Sequence, residues 1–358
     1  MSNPVGEAIA SPTERKPAPF RHLIYQSCRT PIVLLLFSWL LVFLLWLCRP
    51  AEHPLPPISS KVPNLDTTYC AKRDFDIVIS MHQERTKVVS STVDKILSSS
   101  PLLTNSLVFI YSKAENATQR SLRAQFPWAV VKHRPNVGRE GETFLYHILT
   151  HWNSLARHTL FIQAEPHDLA GVLERILNNF VRETEMLSLS SMFGTCDCND
   201  CKDPFWRDHS GILAEVYELA NGEDCGTLMM SYRGQFIASA ARIRGAGREV
   251  YKYLHRALFR SDGWAHQPAY WKPNRVGKDS MGSPVLGFSL ERMWMGIMQC
   301  SNSQLASRCP SIVQPGIRII DDEDCQCYDA EPRDATYQDS APERPLLAFD
   351  MEEETSHS

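Results

Sequence analysis

Several things are scarce in this sequence, and each scarcity removes a class. Glycine supplies 17 of 358 residues, far below the one-in-three periodic use of a collagenous chain. No segment repeats, and no Lys/Arg stripe or nucleic-acid-binding signature occurs, so nucleic acid is not an expected partner. Charge itself is missing from the 19 residues between Arg29 and Arg49. What is present is enough to build with: an apolar fraction of 43% excludes a wholly disordered chain and supports one large domain or two modest ones.

The formal charge of −4 hides an asymmetry, because residues 321–358 carry 13 acids against only Arg333 and Arg344, a net −11 that leaves +7 on residues 1–320. A tail so acidic and so poor in large apolar residues reads as solvated and disordered. The mild positive balance of the remainder suits an anionic small ligand such as a nucleotide diphosphate.

The uncharged run, "TPIVLLLFSWLLVFLLWLC", reaches roughly 28 Å as a helix at about 1.5 Å per residue, enough to cross a bilayer. It is too long for a signal peptide, and "LCRPAE" offers no small-x-small cleavage site. Arg15, Lys16, Arg21 and Arg29 precede it, so the positive-inside bias keeps the N-terminus cytosolic. The expected organisation is a cytosolic tail (1–30), a transmembrane anchor (31–48), a proline-rich stem (49–69), a lumenal α/β domain (70–320) and the acidic tail (321–358). That is a single-pass type II membrane protein of the Golgi or ER, with the membrane itself as one partner. Nine of the eleven cysteines then face an oxidising compartment, where disulfides are the default. The cluster "CDCNDC" (196–201) with Cys225 has, alternatively, the ligand types for zinc. Nine is odd, so one thiol is free or pairs between chains. Asn116 in "NAT" is a glycosylation sequon, and Cys28 is a possible palmitoylation site.

From residue 74 strands and helices alternate. "FDIVIS" (75–80), "SLVFIYS" (106–112), "WAVVKH" (128–133) and "HTLFIQ" (158–163) read as strands; 85–100, 115–126 and 141–152 carry apolar residues at helical spacing. Such alternation predicts a mostly parallel sheet with covered faces. Beyond it, 171–187 is predicted as one amphipathic helix, a cysteine- and aromatic-rich loop follows, and 210–220 is a further helix. A strand at 234–243 runs into a helix at 248–259, and 287–300 is a last helix with Ser289 as N-cap. In such sheets ligands bind beyond the carboxyl ends of the strands. "MHQER", "RPNVGRE" and "AEPHD" occupy that edge, after the first, third and fourth strands.

"DIVISMHQERTKVVSSTVDKIL" resembles the opening strand, loop and helix of glycosyltransferases with the GT-A fold. Residues 74–300 also resemble a largely fungal family catalogued as domain of unknown function 3431, through "NVGREGETFLYHI" (136–148), "FIQAEPHD" (161–168), "GQFIASAARI" (234–243) and "ERMW" (291–294), four motifs in order. NVGRE is similar, too, to the N-x-G-R-D/E segment of some bacterial polysaccharide glycosyltransferases. The resemblance implies a GT-A-like (Rossmann-like) sheet flanked by helices. It implies a nucleotide sugar bound by Glu84, Asn136, Gly138, Arg139 and Glu140, and a glycan, protein or small-molecule acceptor. It also implies Mn²⁺ or Mg²⁺ held after the fourth strand, where GT-A enzymes carry Asp-x-Asp and this chain reads Glu165, His167, Asp168.

On chemistry alone, Arg139 suits bidentate diphosphate binding or a salt-bridged helix start with Glu140, and Gly138 permits close backbone approach. Glu165, His167 and Asp168 suit Mn²⁺ or a polar turn capped by Asp168. His147 and His151, one turn apart, suit a metal or simple packing. A general base is needed to deprotonate an acceptor hydroxyl; Glu291 and Asp208 are the candidates. Trp206, Trp264, Tyr270 and Trp271 suit stacking on a sugar or a core. The alternatives to a transferase are a catalytically inactive lumenal domain of the same fold that binds glycans or scaffolds partners, and a metal-dependent tailoring enzyme of secondary metabolism with zinc in the cysteine cluster.

Overall fold

Alternation along the first strand sets the layers. All seven residues of β1 (Phe75–Met81) are buried, as a strand covered on both faces requires. Ile77 and Ile79 enter one apolar cluster and Val78 the other, because successive side chains point to opposite faces. Phe161 of the fourth strand parts from Leu160 and Ile162 in the same way. The computed structural model that shows this describes residues 63–190, 192–274, 276–301 and 326–328, with isolated positions between 36 and 43.

After β1 come α1 (Thr86–Ser98), β2 (Leu107–Ser112), α2 (Gln119–Gln125), β3 (Val130–His133), α3 (Arg139–Thr150), β4 (His158–Gln163) and α4 (Leu169–Asn179). The second half holds β5 (Thr184–Ser188), β6 (Gly194–Asp197), α5 (Ile212–Asn221), β7 (Thr227–Met230), β8 (Phe236–Ser239), α6 (Ala240–Gly245), α7 (Arg248–Phe259), α8 (Pro268–Asn274), α9 (Leu286–Ile297) and β9 (Gln326–Tyr328). Seven strands form one sheet in the order β3-β2-β1-β4-β8-β5-β9, and β6 pairs with β7 separately. The first four are mutually parallel; β8 runs against its neighbours β4 and β5. The fold is therefore mixed α/β around a mostly parallel sheet. Helices α1, α2 and α4 cover one face, and α3 with the helices after α4 covers the other.

Five sequence expectations change. The strand read over 234–243 stops at Ser239, and Ala240–Gly245 forms α6. The helix predicted over 171–187 ends at Asn179, and Thr184–Ser188 becomes β5, because its place between β8 and β9 supplies a ladder that outweighs local periodicity. The cysteine-rich loop contains the antiparallel pair β6 and β7. Ser289 does not cap α9 but lies buried within it, 3.2 Å from the Tyr270 hydroxyl. The end of the expected stem is docked: Asp66 pairs with Arg244 at 2.7 Å, and the Tyr69 hydroxyl donates to the Leu155 carbonyl at 2.8 Å.

The chain divides into two units, Met1–Pro54 and Leu55–Ser358. Most of the expected anchor lies outside the described residues, as do the cytosolic tail, the stem before residue 63 and all of the acidic tail but 326–328. Among the described residues no helix is long and apolar enough to cross a membrane.

Candidate functional site

The strand ends at the carboxyl edge of β1, β2 and β4 open on a cavity of about 480 Å³, within the range of small-molecule sites. Loops far apart in sequence meet there: His82 and Glu84 after β1, Lys113 after β2, Asn136, Arg139 and Glu140 around the start of α3, Gln163 ending β4, and Ser280 to Ser283 before α9. Four of the five residues assigned to nucleotide-sugar binding, Glu84, Asn136, Arg139 and Glu140, thus line one cavity.

What fixes this rim is a buried charge cluster. Glu142, in the first turn of α3, has no exposed side-chain surface, yet ion-pairs with Lys113 at 3.0 Å and with Arg134 more closely still, and is hydrogen-bonded to His255 of α7 at 3.3 Å. Burial by itself drives its carboxyl pKa up; the His255 hydrogen bond and the charges of Lys113 and Arg134 overcome this and hold it down to about 2. Burial pulls the Lys113 ammonium down, while Glu142 works in the other direction. Lys113 also donates to the carbonyls of Val137 and Arg139. It is therefore a strut for the NVGRE loop rather than a cation offered to a ligand. A second tie, from Ser80 Oγ to Thr143 Oγ1 at 3.0 Å, joins the end of β1 to α3.

The loop's backbone is unusual. Gly138 has φ +68° and Arg139 φ +50°, and the second conformation costs a residue with a Cβ on the order of 1 kcal/mol. Gly138 donates its N–H to the Met281 carbonyl at 2.8 Å. A Cβ on Gly138 would come within 2.6 Å of Glu142 Cβ and 3.3 Å of Leu258. Gly138 thus permits close helix packing, and it does not itself line the cavity. Arg139 leaves its guanidinium half exposed, 3.5 Å from Glu140 and 5.5 Å over the Phe288 ring. Glu84 Oε2 accepts from its own loop, the His82 N–H, at 2.6 Å. The Gln163 amide donates to the Arg233 carbonyl, and its Oε1 is buried without a hydrogen-bond partner.

The expected metal set is not assembled. Glu165 and His167 are exposed, and Asp168 accepts from the Gly171 N–H at 3.0 Å as the N-cap of α4, with Arg233 3.4 Å away. Among the described residues no three His, Cys, Asp or Glu side chains are grouped to hold a metal ion. Asp168 is engaged through Oδ1 by the helix start and through Oδ2 faces Arg233, and Glu165 and His167 do not gather around it. His147 and His151 stack at 4.4 Å between rings, with His147 Nδ1 on the Tyr111 hydroxyl at 2.8 Å, and they pack inside the domain. Asp208 is likewise occupied. Its carboxylate accepts from the N–H groups of Ser210, Gly211 and Leu213 at 2.9 to 3.1 Å, which makes it the anchor of the start of α5 rather than a base. Glu291 differs: burial raises its carboxyl pKa, and its Oε1 accepts from the Arg233 N–H at 2.6 Å.

The cysteine cluster resolves into disulfides Cys196–Cys201 and Cys198–Cys225, with Cys300–Cys327 tying α9 to β9. Oxidised sulfurs offer zinc no thiolate, which removes the zinc reading. Among the described residues Cys70 is the free cysteine and is exposed. Asn116 is exposed in the turn before α2.

No protein-family model matches the chain, and no curated protein matches it. Among solved structures it is similar to the mannosyltransferase PcManGT from Pyrobaculum calidifontis, solved with GDP-Man and Mn²⁺, at 11% identity and TM-score 0.27 over 64% of this chain and 55% of that one. It is also similar to glucosyl-3-phosphoglycerate synthase from Mycobacterium tuberculosis, solved with UDP, at 14% identity and TM-score 0.27 over 52% and 65%. A third likeness is to 4-diphosphocytidyl-2C-methyl-D-erythritol synthase, at 15% identity and TM-score 0.26 over 60% and 93%. The chain therefore spans about half the length of the mannosyltransferase.

Proposed function

We propose that the chain is a glycosyltransferase of GT-A-like fold that draws on a nucleotide sugar, held by an N-terminal anchor as a single-pass type II protein of the Golgi or ER with its domain lumenal. One observation carries the enzymatic part: a single cavity at the carboxyl ends of parallel strands gathers Glu84, Asn136, Arg139 and Glu140 from separate loops. The diphosphate of a nucleotide sugar fits the Arg139 guanidinium and the amide end of α3, while Glu84 and Asn136 face the nucleoside end. The anchor rests on the uncharged run before Arg49 and the basic residues before it, and the three disulfides agree with an oxidising lumen.

The residues after β4 do not fit a resident Mn²⁺ or Mg²⁺, so no step is routed through a metal. Transfer needs charge stabilisation on the departing diphosphate, and Arg139 is placed to supply it. The same misfit favours a second reading, in which the cavity binds a nucleotide sugar or glycan without turning it over.

Thermal shift of the full-length protein in detergent, against UDP- and GDP-sugars with and without Mn²⁺, tests both. Stabilisation that disappears in Arg139→Ala supports the site. Release of nucleoside diphosphate on adding acceptor separates enzyme from binder. Failure of every nucleotide sugar to stabilise the protein would end both readings.

A further inference from the structure

A second cavity, of about 420 Å³, lies against the first and is lined by Phe205, Trp206, Tyr232, Phe288, Glu291 and Arg292 among others. Phe288 lines the second cavity, and the guanidinium of Arg139, which lines the first, stands 5.5 Å from its ring. The second cavity is built rather than incidental. Trp206 is only 3% exposed, and its indole Nε1–H has no hydrogen-bond partner. Its hydrogen-bonding capacity is left unused by the protein in a residue that lines the cavity, which leaves it for an oxygen of a bound molecule.

The loop that presents it is braced. Cys201 is tied to Cys196, Asp203 accepts from the N–H groups of Phe205 and Trp206 at 2.8 Å, and the Tyr232 hydroxyl donates to Asp203 at 3.2 Å. Held this way, Phe205 stands 79% exposed on the lining of the cavity, with its ring face free to stack.

The charges define the ligand. Arg292 lies over the rings of Trp206 and Tyr232 at 4.8 and 5.2 Å and is neutralised by Asp203 at 2.7 Å, and Arg233, the other guanidinium in the lining, faces Asp168 at 3.4 Å, so each cation of the cavity already has a carboxylate partner. Glu291 adds a carboxylate that accepts hydroxyl protons. Aromatic faces, one unfilled indole donor and one carboxylate acceptor together match a neutral ring bearing hydroxyls on its edge and C–H groups on its face.

We propose that this second cavity is the acceptor site and takes a neutral pyranose, stacked on Phe205 and Phe288 and hydrogen-bonded by Trp206 and Glu291. Binding of the pyranose stands independently. The role of Glu291 in transfer rests on the glycosyltransferase reading. There the acceptor oxygen bonds to the anomeric carbon, its proton passes to the Glu291 carboxylate, and the bond from that carbon to the diphosphate breaks with the electron pair leaving on the phosphate oxygen.

Saturation-transfer NMR on the full-length protein in detergent, with methyl α-D-mannopyranoside and methyl β-D-glucopyranoside as probes, tests the site. Ring-proton signals from at least one glycoside are expected, persisting when UDP and GDP are added in excess. They should fall about tenfold in Phe205→Ala, whose exposed side chain leaves folding intact, and in Trp206→Phe, which removes the indole donor. Absence of any glycoside signal, or its displacement by the nucleotides, overturns the proposal. Glu291→Gln should keep glycoside affinity while lowering turnover by about 100-fold. It should also flatten the rise of turnover with pH that wild type shows; unchanged turnover and pH profile would remove Glu291 as the base. Glycoside binding without any nucleotide-induced stabilisation would sink the transferase reading and leave the sugar site standing.

Discussion

The loops after β3 and after β4 leave the sheet at the same edge, and each sets acids beside a basic or imidazole side chain, yet one is wired into the interior while the other lies on the surface. Residues 134–142 are held by the ion pairs of Glu142 with Lys113 and Arg134 and by its hydrogen bond with His255, and their shape is enforced by two successive left-handed residues. Residues 164–168 contribute a helix cap and two exposed side chains. Proximity to the strand ends is thus insufficient to make a site. A side chain becomes functional when its neighbours hold it against a cavity and leave some of its polar atoms unused.

That contrast is breakable by experiment, and the largest expected effect is at its root. Glu142→Gln should cost about 3–5 kcal/mol in denaturant unfolding, because it strands Lys113 and Arg134 in the interior. Lys113→Met added to it should recover part of the loss. The pH dependence follows from the depressed carboxyl pKa: the contribution of Glu142 is complete above its ordinary value of 4.5 and is lost as pH falls toward about 2. Wild type should therefore lose stability across that window more steeply than Glu142→Gln, and parallel curves would count against the cluster.

Next in size, Arg139→Ala should weaken nucleotide-sugar binding by roughly 10- to 100-fold, the worth of a charge-assisted contact of about 1.5–3 kcal/mol, while moving thermal stability by less than about 0.5 kcal/mol. Loss of stability without loss of affinity would make Arg139 a structural residue. Gly138→Ala should cost about 2 kcal/mol, since the left-handed backbone and the 2.6 Å approach to Glu142 both oppose a methyl group. The smallest effect sharpens the other side of the comparison: Asp168→Ala should cost about 1 kcal/mol as a lost cap and leave nucleotide affinity unaltered in titration. A tenfold loss of affinity there would restore the β4 loop to the site.

Much of the first half of the domain was readable, since strands covered on both faces announce themselves as unbroken apolar runs; "HTLFIQ" coincides with β4 over His158–Gln163. Arg139 and Glu84 were reachable by asking which residues follow a strand. The same question, asked of the second strand, points to Lys113, which directly follows β2, although "SKAEN" has no motif that would distinguish it from any other loop lysine. Thr184–Ser188 was misread because "TEMLS" continues a helical pattern, and the ladder that overrides it comes from residues some 50 and 140 positions away.

By itself the sequence determined the uncharged run before Arg49, the alternation of strands and helices and hence the parallel part of the sheet, because these are written in local periodicity and composition. The tertiary structure alone decided which cysteines pair, that Asp168 caps α4 while Asp208 anchors the turn before α5, that Glu142 is buried against Lys113, Arg134 and His255, and that Arg139 of one cavity stands over Phe288 of the other. Those outcomes depend on which distant side chains arrive within hydrogen-bond distance, and in a packed interior that distance, rather than residue type, sets whether a charge holds the fold or is left for a ligand.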